Sequence, residues 1–110
     1  MHVRTMTRLE ANHILVYRPS EPIYRSHPTE PDLLIVSYVY EGRTRHTLVE
    51  RGIEAFREIQ LVNGRRCPLT NRFVNAQELE EFVQELVESE DPRSPSPYGF
   101  RVESPPFKSS

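Results

Sequence analysis

The sequence predicts an α+β fold, a central antiparallel sheet of three or four strands flanked by two helices. Three features carry that expectation. An eight-residue apolar run, Leu33 to Tyr40, is broken only by Ser37. A second run, Thr44 to Glu50, alternates apolar and polar residues. Leu79, Phe82, Val83 and Leu86 then recur at helical spacing. Helices covering the faces of one sheet are a stable layered solution for a chain of 110 residues.

In chain order, Val3, Met6 and Leu9 with Glu10 fit a short first helix, closed by Asn12 and His13. Ile14-Leu-Val-Tyr17 reads as a buried strand that delivers Arg18 and, two residues on, Ser20 to the same face, since side chains two apart share a face of a strand. A proline-rich loop from Ser20 to Asp32 follows and contains Ile23-Tyr24-Arg25-Ser26. Glu41-Gly42-Arg43 reads as a tight hairpin connection between the two runs named above, with Gly42 free to take positive φ. A further strand over Arg57 to Val62 ends at Asn63-Gly64, a strong turn signal. Asn75 is a credible helix N-cap, with Glu78 three positions on and the helix running to about Glu88. Residues 1–88 thus form one domain. Residues 89–110, rich in Pro and Ser, form a tail, with one short terminal strand expected near 98–102.

Composition narrows the function classes. No run of 18 apolar residues exists, so no membrane span is expected. A single cysteine, Cys67, excludes an internal disulfide framework and suits a reducing, cytoplasmic compartment. One cysteine and four histidines without ligand spacing make a metal site improbable, and no cofactor is expected. Net charge is −2, but seven of the 16 acidic residues lie in 77–91 with no base among them, so the remainder is net basic and almost all of its bases are arginines. That remainder is suited to attracting an anion. Nucleic acid is the less suitable anion, given the near-neutral total and the absence of aromatic stacking motifs. Ser37 and His46 with an acid could be drawn as a hydrolase triad, but no nucleophile elbow or glycine-rich oxyanion turn accompanies them.

Leu15-Val16-Tyr17-Arg18-Pro19-Ser20 resembles the Phe-Leu-Val-Arg-x-Ser signature of the Src homology 2 domain at the arginine and serine. Leu34-Ile35-Val36 looks like that family's third strand, Arg45-His46 like its fourth, and Phe73-Val74-Asn75-Ala76 leading to Leu79 like its entry to the last helix. The resemblance covers roughly residues 3–88 and implies a non-enzymatic module that binds a tyrosine-phosphorylated peptide, acting as a monomeric adaptor. It also implies a phosphotyrosine pocket built on Arg18, with Ser20, the loop donors Arg25, Ser26 and Thr29, and His46 against the phosphotyrosine. Thr47 and the loop of Asn63 to Arg72, with Arg65, Arg66 and Leu69, would set peptide specificity. Arg4 or Arg8 is left to supply the second phosphate contact. Arg25 is an alternative to Arg18 as the signature arginine, disfavoured because Pro22 is poorly tolerated in a central strand. Two other functions stand beside this one. The first is a scaffold module similar to the tandem Src homology 2 domain of a transcription elongation factor, binding phosphorylated polymerase linker. The second is nucleic-acid binding through the arginine-rich surface.

Overall fold

A computed structural model describes residues 1–89. Eight elements follow one another: β1 (Val3–Arg4), α1 (Arg8–Tyr17), β2 (Ile23–Ser26), β3 (Leu33–Tyr40), β4 (Arg43–Arg51), β5 (Phe56–Val62), β6 (Arg65–Phe73) and α2 (Ala76–Glu88). The strands form one sheet whose order is the order of the chain. β1 runs parallel to β2 across the α1 crossover, and the remaining pairs are antiparallel. The sheet is therefore six-stranded and mixed, which corrects the expected antiparallel sheet of three or four strands. No described helix is long and apolar enough to cross a membrane. The strand expected near 98–102 lies outside the described residues.

The differences have local causes. Residues 14–17, expected as a strand, are the last turns of α1, and the helix expected before them begins only at Arg8. Thr7 caps it: its hydroxyl accepts from the Glu10 N–H at 3.1 Å, and the Glu10 carboxylate accepts from the Thr7 N–H at 2.8 Å. This reciprocal capping box satisfies two otherwise orphaned donors and fixes where the helix starts. Ala11 and Leu15, one helical turn apart, are the residues that α1 buries, whereas Val16 and Tyr17 point outward. β2 lies between Pro22 and Pro28, and neither proline is in the strand, so the objection from proline does not apply. β6, polar and containing Pro68, occupies most of the stretch from Asn63 to Arg72 expected as a loop. It is an edge strand, and its pairing with β5 is irregular between Arg57 and Ile59, beside the partner of Pro68; edges and bulges are both places where a sheet tolerates proline.

The remaining elements form where their residues require. The β3–β4 connection places Glu41 and Gly42 at φ of 55° and 73°, and the β5–β6 connection places Asn63 and Gly64 at 53° and 77°. Positive φ at both central residues gives a two-residue turn whose twist matches that of the flanking strands. Asn75 caps α2 through its side-chain oxygen, which accepts from the Glu78 N–H at 2.9 Å.

Alternation along the strands divides the interior in two. Tyr24, Leu34, Val36, Tyr38 and Val49 face α2 and pack with Leu79, Val83, Leu86 and Val87. The opposite face carries Ile23 against Ala11 and Leu15 of α1, with Ile14, Met6 and Val39 at the margin. Arg25 and Ser37 are the buried polar residues of the sheet. Both belong to the α1 face, because each alternates with a residue of the α2 face.

The helical register of α1 makes a test. Leu15 is 1% exposed and Val16 72% exposed. Leu15→Ala should cost about 2–5 kcal/mol in urea unfolding, and Val16→Ala less than about 0.5 kcal/mol. An extended strand with Val16 inward would reverse the two.

Candidate functional site

Arg25 ends the α1-facing side of β2, and its side chain runs beneath the helix. Its position is forced by register: Arg25 pairs with Ile35 of β3, two residues from Ser37, and Ser37 pairs directly with His46 of β4. Three neighbouring strands thus bring a guanidinium, a hydroxyl and an imidazole to one point. The Arg25 Nε–H donates to Ser37 Oγ at 3.0 Å, Nη1 donates to the Met6 carbonyl at 3.4 Å, and Nη2 lies 3.4 Å from His46 Nδ1. Ser37 Oγ and His46 Nδ1 are 2.8 Å apart. On its far side, His46 Nε2 meets Asn12 Oδ1 of α1 at 2.9 Å.

The electrostatics of this cluster are unusual for a protein interior. Arg25 is only 5% exposed, yet among the described residues no carboxylate lies within ion-pair distance of it. Three other arginines are ion-paired: Arg18 with Glu21, Arg45 with Glu41, and Arg66 with Glu30, Asp32 and Glu50. Burial lowers the proton affinity of Arg25, and the nearby charge of Arg8 lowers it further. His46 is also pushed below its ordinary value, by burial first and then by Arg25 and Arg8. Arg8, the first residue of α1, therefore adds positive potential to the same site from the exposed side.

The guanidinium has five N–H donors, of which three are directed at Ser37, Met6 and His46. Two remain uncommitted among the described residues. A pair of free donors on one planar group is the geometry that grips a carboxylate or phosphate bidentately. The same cluster is poorly built for covalent chemistry. Ser37, His46 and Asn12 have the connectivity of a nucleophile, a base and an orienting amide, but Ser37 is fully buried and its oxygen is occupied by Arg25. No group of three or more His, Cys, Asp or Glu suited to a metal ion occurs among the described residues.

The loop of 27–32 borders this end of β2. His27 Nδ1 accepts from the Thr29 and Glu30 N–H groups at 3.2 and 3.1 Å, which curls the loop upon itself. Arg66 holds its far flank, donating to Glu30, Asp32 and Glu50 at 2.7–2.8 Å. The Asp32 carboxyl consequently sits below the usual carboxylate range, chiefly through its hydrogen bond to Arg66.

Ser26 points to the α2 face, where its Oγ is 3.4 Å from Thr5 Oγ1, Thr29 lies in the adjoining loop, and of the residues expected to form a pocket Arg25 and His46 come together. Arg18 does not join them. It is the C-cap of α1, its side chain is 67% exposed, and it pairs with Glu21 at 3.8 Å. Ser20 is exposed in the turn that follows. Their place in the site depends on 14–17 being extended; with those residues helical, Arg18 caps the helix end and Ser20 lies beyond it in a turn, so strand alternation no longer sets the two on one face. The specificity residues are also redistributed. Thr47 points to the α2 face, where its hydroxyl is 3.3 Å from that of Tyr38, so it is on the other side of the sheet from Arg25. Arg65, Arg66 and Leu69 belong to strand β6 rather than to a loop, and Arg66 is committed to its three carboxylates. Asn12 and the Met6 carbonyl are members that the sequence reading left out, and Ser37 entered it only beside His46 in the hydrolase triad that was set aside. Ser37 had one visible signal, as the sole polar residue in an apolar strand.

No protein-family model, curated protein or solved structure matches the chain.

The lowered proton affinity of His46 has a defined sign in stability. The unfolded chain takes up a proton near pH 6.5, whereas the folded ring resists it until lower pH. Stability from a neutral His46 is therefore full above about pH 6.5 and lost as the pH falls through the folded value. The urea midpoint should drop between about pH 7.5 and 5.5, and His46→Gln should flatten that drop. A midpoint that rises on acidification would contradict the site's electrostatics.

Proposed function

We propose that this chain is a non-enzymatic module that binds phosphotyrosine peptides, in the manner of the Src homology 2 domains it resembles, with Arg25 as the phosphate-binding arginine. One observation carries the proposal: a buried guanidinium that, among the described residues, has no carboxylate partner, is held by neutral groups and retains two free donors. Leaving a charge buried and unpaired is costly, and an incoming dianion removes that cost while satisfying the remaining donors. A phosphate ester brings about −1.5 to −2 charges and three strong acceptors, which match Arg25 together with the second cation, Arg8.

Depth favours tyrosine over serine as the carrier of the phosphate. Arg25 is 5% exposed and in contact with His46, so a phosphate carried at the end of a long rigid ring is better suited to it than one on a short side chain, with His46 available to contact that ring. A phosphate on a short serine side chain would have to draw the peptide backbone into the same space.

Calorimetry with matched phosphotyrosine, phosphoserine and unphosphorylated peptides tests the proposal. Binding should require phosphotyrosine. Arg25→Lys keeps the charge but loses the planar fork, and should weaken binding by roughly 1.5–3 kcal/mol, while Arg18→Ala should change it by less than about 0.5 kcal/mol. Equal affinity for phosphoserine would favour the polymerase-linker scaffold. A steep loss of affinity with salt would indicate a polyanion such as nucleic acid, because one phosphate displaces few counterions. Failure of every phosphotyrosine peptide to bind would overturn the reading.

A further inference from the structure

We propose that Asn12, on the inner side of α1, is a positioning residue that fixes the tautomer of His46 and, through it, the orientation of the Arg25 guanidinium. The chain of contacts has one consistent direction. Asn12 Oδ1 at 2.9 Å accepts the proton of His46 Nε2, which leaves Nδ1 with a lone pair. That lone pair accepts the Ser37 hydroxyl at 2.8 Å and faces Arg25 Nη2 at 3.4 Å. Ser37, having given its only proton to His46, accepts the Arg25 Nε–H at 3.0 Å. The Ser37–His46 pair thereby fills one side of the guanidinium and leaves the remaining donors for a ligand.

The opposite tautomer breaks this arrangement. A proton on Nδ1 would confront the Nη2–H of Arg25, donor against donor, and push the guanidinium out of plane with Ser37. Among the described residues the groups around the ring are Arg25 from β2, Ser37 from β3, and Arg8 and Asn12 from α1, none of them a carboxylate that would hold the ring as imidazolium. A neutral amide at position 12 anchors Nε2–H without inviting a second proton, as an aspartate would. Asparagine is a poor helix former, and its presence inside α1 is consistent with a duty other than helix propensity.

The tautomer can be read in the ligand-free full chain by long-range 1H–15N correlation of the histidine rings, independently of any phosphopeptide. His46 should be protonated on Nε2 at neutral pH. Asn12→Ala should introduce the Nδ1–H form, whereas Asn12→Asp should keep the proton on Nε2 and raise the pH at which His46 titrates above that of Asn12→Ala. The link to Arg25 rests on the phosphotyrosine reading: Asn12→Ala should weaken a phosphotyrosine peptide by about three- to tenfold, the worth of one neutral hydrogen bond. An Nδ1–H tautomer in the unmodified chain, or an unchanged tautomer in Asn12→Ala, would overturn the assignment even if the peptide binds. A shifted tautomer with unchanged peptide affinity would overturn the link to Arg25. A shifted tautomer in a chain that binds no phosphopeptide supports the role of Asn12 and rejects the ligand instead.

Discussion

A positive charge buried without a counter-charge is the constraint around which this small domain is arranged. A guanidinium taken out of water loses hydration that only hydrogen bonds or an anion can replace. Here three neutral partners, Ser37, His46 and the Met6 carbonyl, replace part of it. Each comes from a different segment, so the alignment of β2, β3, β4 and the β1–α1 connection is a condition for holding Arg25 at all. The mixed sheet follows the same logic. The parallel pairing of β1 with β2 brings the chain up beside Arg25 just before α1 begins, which puts the Met6 carbonyl and Arg8 at the site.

Division of labour between the two faces of the sheet makes this affordable. The α2 face carries the larger apolar cluster and supplies most of the burial that holds the fold. The α1 face has a smaller cluster and devotes the rest of its area to polar contacts. Paired arginines at the periphery, Arg66 above all, bring loops to strands without drawing acids toward Arg25. The segregation of acidic residues onto α2 acts in the same direction, because that helix lies across the sheet from the cation cluster.

Much of the carboxy-terminal half was legible in the sequence, for physical reasons that can be named. Asn75 and Glu78 announce α2, Leu79, Val83 and Leu86 repeat at its turn, and Glu41-Gly42 and Asn63-Gly64 dictate their hairpins. The amino-terminal half misled because local preference and tertiary packing disagree there. Ile14 to Tyr17 is a β-branched and aromatic run, yet the Thr7–Glu10 capping box and the Ala11–Leu15 spacing make it helical. That single change of period moved the arginine of the site from Arg18 to Arg25. β2 was hidden by its flanking prolines, and β6 by its polarity and Pro68. His46 could be singled out from its strand context, whereas Asn12 could not, since its role arises only when α1 packs across β4.

The unequal anchoring of the two helices also shapes how the domain opens. Adjacent strands from β2 onward pair with their chain neighbours, and α2 is locked to them by an extensive core. α1 is held by Ala11, Leu15 and Ile23 together with the Asn12–His46 contact, and it covers Arg25, a buried cation that gains by rehydration. Local opening therefore falls to α1, and amide hydrogen exchange should be faster there than in α2. An anion bridging Arg25 and Arg8 would fasten that helix to the sheet, so occupancy of the site would be felt as slower exchange along the whole of α1.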